Sequence, residues 1–387
     1  MTLSDVLQSL VATARRGPSH DAQLAEIDDI VVVSGTRGKS AATRWLYEIL
    51  YSRDTDVFAK ITGDRPLSLY DGQTHEIERS RRVTLYENEE QLRQFAPIET
   101  LILENQAIGE YTTRLVHQRF ADPDVVFLTN VRRDHLDRLG RDPLKIARSL
   151  ARAMPADATL VIGEQHPEVR ATLEQELDST ELDLRWVTVP EESESVPGAE
   201  TIYGLTEVLE ALDKQPLAER RLDAYLDEMR VEWTRLPNGR VYNAASVNDV
   251  DSTEITRQAL VGEHTETIQP LIYLRRDRRA RTVSFLKYLD DLYERNAFEL
   301  VRAVGPHAEL FARHASFPVA THDETESASE VLDAALTPGW PVLIVGNTVA
   351  EFMRDLEAEI TTRKVEEQET PRTRHLDADE PFETEQS

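Results

Sequence analysis

Five short apolar runs alternate with stretches of helical spacing between residues 30 and 163, and few folds can absorb that pattern. The runs cover residues 30–33 (IVVV), 56–60 (DVFAK), 100–104 (TLILE), 124–130 (DVVFLTN) and 159–163 (TLVIG). They are continuously apolar rather than alternating, as strands covered on both faces must be. Between them, residues 41–51, 89–95, 112–120 and 143–153 carry apolar side chains at helical spacing. The alternation predicts an α/β unit with a doubly wound, mainly parallel sheet whose ligand sits beyond the carboxyl ends of the strands.

The first run leads straight into Gly35, Thr36, Arg37, Gly38, Lys39 and Ser40, and a helical pattern follows at once. Backbone N–H groups on a glycine-rich turn converge on phosphate oxygens, and the helix behind adds the positive end of its dipole. Lys39 is spaced to reach the β/γ-phosphates of a nucleoside triphosphate, and the Ser40 hydroxyl suits Mg²⁺. Val33 stands where the longer G-x-x-x-x-G-K-[ST] pattern has its first glycine. The strand–turn–helix setting therefore carries the reading, against the plainer one of a surface loop.

A second α/β pattern starts near Arg240, with candidate strands at residues 241–245, 269–274, 300–304 and 341–345. The P-N-G at residues 237–239 is a turn signal and the expected joint. The expected division is an N-terminal helix over residues 1–29, a P-loop ATP-binding domain over 30–235, a smaller Rossmann-like α/β C-terminal domain over 236–364, and a disordered acidic tail over 365–387. Residues 190–200 (PEESESVPGAE) read as a surface loop.

Charge narrows the partners. There are 71 acidic residues against 44 basic ones, a net charge of -27, and only six of the basic residues are lysine. Such a field repels phosphate backbones and anionic membranes, so no nucleic acid is expected as a partner. The acidic, lysine-poor, arginine-rich composition resembles that of halophilic proteins. The absence of cysteine excludes disulfides, thiolate metal sites and cysteine nucleophiles. No apolar run approaches the ~18 residues of a membrane span. Residues 1–17 lack the basic start and cleavage site of a signal peptide, and their stripe of Leu3, Val6, Leu7, Leu10 and Val11 reads as packed on the body. A cytoplasmic protein is expected.

Three further features fall where strands end. Glu104 closes the third run, TNVRRDHLDRLG (residues 129–140) follows the fourth, and VNDVDST (247–253) opens the second unit. A carboxylate and a neutral imidazole, Glu104 and His135, are oxygen and nitrogen ligands for a divalent cation. A cation there would offset the charge that builds up in phosphoryl transfer. Each feature also has a plainer reading. Glu104 could be a solvated or helix-dipole partner, His135 a backbone-carbonyl partner, and Asp134 and Asp137 a cap and a first-turn acid. The arginine run at residues 275–281 could be a solvated face.

The order of these features resembles the Mur ligase superfamily of ATP-dependent amide-bond-forming enzymes. Its G-T-x-G-K-[ST] loop is matched by residues 35–40 and its T-N-x-x-x-D-H-x-D by residues 129–137. Within it, the chain is similar to the poly-γ-glutamate synthase catalytic subunit, a capsule-type ligase. That family's GIRGKS…TR resembles GTRGKSAATR (35–44), its AKTTG resembles AKITG (59–63), and its TNVREDH resembles TNVRRDH (129–135). Its NAFAANDPEST is similar to NAASVNDVDST (243–253), and its R-x-D-R-x-x-R recurs at Arg275, Asp277, Arg278 and Arg281. There are departures. ECMA becomes ENQA (104–107), GNIxGxG becomes GNTVAEF (346–352) with two glycines lost, and Tyr273 stands for an Asn before the arginines. The membrane-leaning N-terminal segment often expected of the family has no counterpart in residues 1–29.

The resemblance implies that ATP lies on the loop from Gly35 to Ser40 beside Asn130. It implies one Mg²⁺ held by Ser40 and Glu104 and a second contacted by His135, with Lys39, Glu104 and His135 as the catalytic set. Lys60, Thr62, Arg275, Arg278 and Arg281 would hold acidic substrate groups, Asp277 would orient the arginines, and Asn248 and Asp249 would act at a hinge. The implied activity is ADP-forming ligation of a carboxylate to an amine through an acyl phosphate. Glutamate is the expected substrate and a small integral-membrane subunit the implied partner, which would hold the protein at the inner face of the membrane. Two rivals stay open: a P-loop kinase or ATPase without a ligase step, and a degenerate nucleotide-binding relative that scaffolds a membrane partner.

Overall fold

Val31 and Val33 belong to the core on one side of the first sheet, Ile30 and Val32 to the core on the other, and helices cover both sides. The structure is a computed structural model. It describes residues 16–365 except 64, 80–82, 108, 133–141, 179, 248, 263–266, 277 and 347–349. The apolar N-terminal stripe and residues 366–387 of the expected acidic tail lie outside the described residues.

The first sheet is built from β1 (Asp29–Ser34), β2 (Val57–Ile61), β3 (Leu67–Tyr70), β4 (Gln73–Glu76), β5 (Thr100–Glu104), β6 (Val125–Leu128), β7 (Thr159–Ile162) and β8 (Asp183–Trp186). Their order is β4-β3-β2-β5-β1-β6-β7-β8. The six strands from β2 to β8 in that order pair parallel, and β3 and β4 add an antiparallel edge. One face packs on the helices Lys39–Tyr51, Ala199–Ala211 and Glu219–Met229, through residues such as Leu46, Ile49, Ile202 and Leu205. Each of these four side chains is fully buried, worth ~1.5–3 kcal/mol of transfer free energy apiece. The other face packs on Tyr86–Phe95, Pro143–Ala151 and Pro167–Leu177.

The second sheet holds β9 (Thr234–Leu236), β10 (Gly239–Asn243), β11 (Gln269–Tyr273), β12 (Val301–Val304), β13 (Val319–His322) and β14 (Val342–Val345), in the order β13-β12-β11-β14-β10-β9. All its pairs are parallel except β9 with β10. The P-N-G turn read as the joint is thus the hairpin loop between β9 and β10, inside this sheet, and the second sheet begins at Thr234 rather than at Leu236. A turn signal marks a chain reversal, and nothing in it distinguishes a hairpin from a linker.

Strands β3, β4, β8, β9 and β13 had no apolar run to announce them. β4 is exposed along its length and β8 only half-buried, since edge strands have one neighbour and one covered face at most. The β3–β4 turn did carry a signal, Asp71-Gly72, with both residues at positive φ. That dipeptide between two strands is the hairpin chemistry to look for. Among the described residues no helix is long and apolar enough to cross a membrane.

Candidate active site

Strand β1 lies between β5 and β6, so the three carboxyl ends meet at one place. Val33 pairs with Glu104 and Ser34 with Leu128, which sets the loop after β1 between Glu104 on one side and Thr129 and Asn130 on the other. Gly35 has φ +114, and a Cβ there would collide with the Thr129 hydroxyl. Gly38 has φ +79, where a Cβ would stand 2.8 Å from Thr201 Oγ1. Both glycines are required by close approach as well as by backbone conformation.

The loop is held from the β6 side. Asn130 Oδ1 accepts from Thr36 Oγ1 at 2.9 Å and from the Arg37 N–H at 3.1 Å, and the Asn130 carbonyl accepts from the Thr36 N–H at 2.9 Å. Thr129 Oγ1 donates to the Arg37 carbonyl at 2.6 Å. Lys39, the first residue of the helix Lys39–Tyr51, folds its ammonium over the loop to Gly35 O at 2.9 Å and Thr36 O at 3.2 Å. Ser40 Oγ lies 3.0 Å from both oxygens of Glu104, which also accepts from the Thr62 N–H at 2.8 Å. Glu104 is buried. A buried carboxylate beside a hydroxyl is a pair of oxygen donors that fits a hard divalent ion.

Two arginines tie this site to the second sheet. Arg37 Nε pairs with Asp249 Oδ2 at 2.8 Å, and Asp249 caps the helix Val250–Val261 through the Ser252 N–H at 2.8 Å. Burial pushes the Asp249 carboxyl above its ordinary value, against the opposing pull of Arg37 and Ser252. Arg132 donates to Ser252 Oγ at 2.9 Å and pairs with Glu200 at 2.5 Å. Between the two sheets opens a cleft of about 690 Å³, lined among others by Asn130, Arg132, Glu164, Glu200 and Glu254. Glu164 is buried at the cleft wall and accepts from the N–H groups of Val131 and His166; burial raises its pKa despite those bonds.

The structure thus brings together Gly35, Thr36, Arg37, Gly38, Lys39, Ser40, Thr62, Glu104, Asn130 and Asp249. Lys60 stands apart: it is fully buried and its ammonium sits on Glu87 at 2.8 Å, so it supports the site from beneath rather than facing a ligand. Arg275, Arg278 and Arg281 line a cavity of about 10 Å³ with Tyr273 and Gly346, room for about one water. Tyr273 donates to Glu324 at 2.9 Å and stacks on Phe352, with ring centroids 6.1 Å apart. Burial, then the Glu324 bond, push its phenol up to about 12. Tyr273 and Phe352 are two of the positions that depart from the motifs quoted above, and they touch. His135, Asp277 and Asn248 lie outside the described residues, as do Asp134 and Asp137.

Glu200 was missed, because residues 190–200 read as a surface loop. Val196, Ala199 and Glu200 are in fact buried, and Glu200 holds both Asn130 and Arg132. The signal was present: Ile202, Leu205, Val208 and Leu209 recur at helical spacing just after Gly198, which caps the helix Ala199–Ala211 at φ 85.

Residues 33–200 match the family model of the Mur ligase middle domain, and residues 230–365 match that of the poly-gamma-glutamate synthase CapB C-terminal domain. The chain belongs to the Mur ligase superfamily. Among curated proteins, no sequence matches it. Solved structures of the superfamily share its fold. FolC of E. coli, in complex with DHPP and ADP, aligns with a TM-score of 0.60 at 18% identity over 90% of this chain and 93% of its own. The bifunctional folylpolyglutamate synthase/dihydrofolate synthase of Yersinia pestis, complexed with AMPPNP and Mn, gives 0.58 at 17% over 90% and 92%. MurF from Acinetobacter baumannii gives 0.57 at 14% over 91% and 80%. At such identities the likeness is one of fold.

Proposed function

We propose that this superfamily member is an ATP-dependent, ADP-forming ligase that joins a carboxylate to an amino acid, with a γ-glutamyl amide as the product. The observation that carries the reading is the buried Glu104 carboxylate on the Ser40 hydroxyl. Ser40 follows Lys39 directly, on a phosphate-binding loop that Asn130, just after β6, braces from the other side. The match of residues 230–365 to the CapB C-terminal domain supports glutamate as the substrate class.

In this reading the ATP phosphates lie along the N–H groups from Gly35 to Ser40, and Lys39 exchanges its two loop carbonyls for phosphate oxygens. The adenosine enters the cleft beside Asn130 and Glu200. Ser40 and Glu104 would hold Mg²⁺, which supplies positive charge against the terminal phosphates. A substrate carboxylate oxygen attacks the γ-phosphorus, and ADP leaves with the bridging oxygen. The acceptor nitrogen then attacks the acyl carbon, phosphate leaves, and the nitrogen loses a proton to give the amide. Preorganised donors matter because several negative charges converge in the first step. The Arg37–Asp249 and Arg132–Ser252 contacts hold the second sheet over the loop, which keeps water from the acyl phosphate. The arginines after β11 mark the candidate acceptor end, beside Tyr273 and its ring partner Phe352.

The test is phosphate release from ATP, screened against a panel of amino acids, with product mass determined. Release that requires an amino acid, with a product heavier by one amide condensation, supports the ligase. Release without an acceptor, or a stable phosphorylated product, favours the ATPase or kinase rival.

A further inference from the structure

A ring of charge backs the turn that bonds Glu104. Lys60, near the carboxyl end of β2, is fully buried, and its ammonium meets Glu87 Oε1 at 2.8 Å. Arg79 grips the same carboxylate with two bonds, Nε to Oε2 at 2.7 Å and Nη2 to Oε1 at 2.8 Å. The remaining donors of Arg79 reach the turn after β2: Nη2 bonds Thr62 Oγ1 at 3.0 Å, and Nη1 bonds the Gly63 carbonyl at 2.8 Å. That turn is the one whose Thr62 N–H donates to Glu104 Oε2. Gly63 sits at φ +103, and a Cβ placed there would meet nothing within 4 Å, so its own packing does not fix the turn.

We infer that Arg79 and Glu87 are positioning residues for the Glu104 carboxylate, acting through the Thr62 N–H, and so set the affinity of the divalent-cation site. The inference rests on the cation reading of Ser40 and Glu104. A planar guanidinium is suited to the task. It engages one carboxylate bidentately and still has a donor for the turn on the other side. Lys60 completes the ring from inside. A fully buried ammonium is costly unless paired, and Glu87 is the pair. Among the described residues no hydrogen bond or ion pair joins the ring to the phosphate loop; the ring reaches the site through the Thr62 N–H, beside the through-space pull of Lys60 on Glu104. Partners behind a metal ligand typically govern ten- to a hundredfold in metal affinity.

The test is Mn²⁺ binding by the full chain with AMPPNP present, followed by electron paramagnetic resonance, so that no turnover is needed. Glu87→Gln leaves Lys60 buried beside a neutral partner and threatens folding, so Arg79→Gln is the main variant, since Arg79 is partly solvated. Arg79→Gln should weaken Mn²⁺ binding about tenfold or more, Arg79→Lys should recover part of the loss, and metal-independent AMPPNP affinity should not move. Glu104→Gln serves as the reference. If Glu104→Gln loses Mn²⁺ while Arg79→Gln binds it within twofold of wild type, the inference is overturned, whatever happens to the melting temperature. If Glu104→Gln also binds normally, the cation reading itself fails and the inference fails with it.

Discussion

Removing the Asp249 carboxylate should uncouple the two halves of the molecule, and the structure sets the size of the effect. Asp249 has 2% of its side chain exposed and does two jobs. Its Oδ1 caps the helix Val250–Val261, a contribution of about 1 kcal/mol. Its Oδ2 pairs with Arg37, whose side chain is 26% exposed and would be partly rehydrated on losing that carboxylate. The loss then falls below the ~3–5 kcal/mol of a fully buried pair, at about 2 kcal/mol. Asp249→Ala should therefore cost about 3 kcal/mol and Asp249→Asn, which keeps a capping oxygen, about 2 kcal/mol. The assay is urea unfolding of wild type, Arg37→Ala, Asp249→Asn and the double variant, followed by tryptophan fluorescence. The double-variant cycle should return a coupling of about 1–2 kcal/mol. A coupling near zero, with Asp249→Asn as stable as wild type and Asp249→Ala lowered by the cap alone, would show that only the cap matters and that Arg37 does not bind the domains together.

Three further outcomes are expected. Lys39→Ala should reduce ATP turnover at least ~100-fold, because the ammonium folded over the loop is the group placed to meet phosphate; turnover near wild type would remove Lys39 from the site. Burial opposes ionisation of Glu87, but Arg79 and Lys60 prevail and hold its carboxyl below the ordinary 4.5. Its stabilisation is complete above that value and is lost as pH falls through the folded-state value, so the urea midpoint of wild type should drop more steeply than that of Glu87→Gln between about pH 5 and 3. Parallel curves would refute the assignment. A net charge of -27 predicts that thermal stability rises with KCl up to about 2 M, as screening relieves self-repulsion; a flat salt dependence would remove the halophilic reading.

The centre of the first sheet was legible because β1, β5, β6 and β7 are buried on both faces and wrote their burial into unbroken apolar runs. The phosphate loop was legible for a related reason: only glycine fits the positive φ and close contacts at positions 35 and 38. What stayed hidden was long-range pairing. Arg79 and Glu87 carry no motif, and their importance arises from meeting Lys60 and Thr62 across the fold. Glu200 was hidden by an acidic, proline-punctuated stretch that resembles a loop until the helix after Gly198 is noticed. Lys60 was legible as part of a motif and misjudged in posture, since a sequence does not say which way a strand residue faces once both faces are covered.

The central claim is that a carboxylate is activated on this loop by phosphoryl transfer, and isotope transfer tests it most directly. The enzyme would be incubated with ATP, Mg²⁺, an acceptor amino acid and a donor whose carboxylate carries ¹⁸O, and the released phosphate analysed by mass. Attack of the carboxylate on the γ-phosphorus, followed by amide formation, transfers one ¹⁸O from donor to phosphate in each turnover. Phosphate that carries no label while amide accumulates, or phosphate drawn from solvent water, would contradict the account.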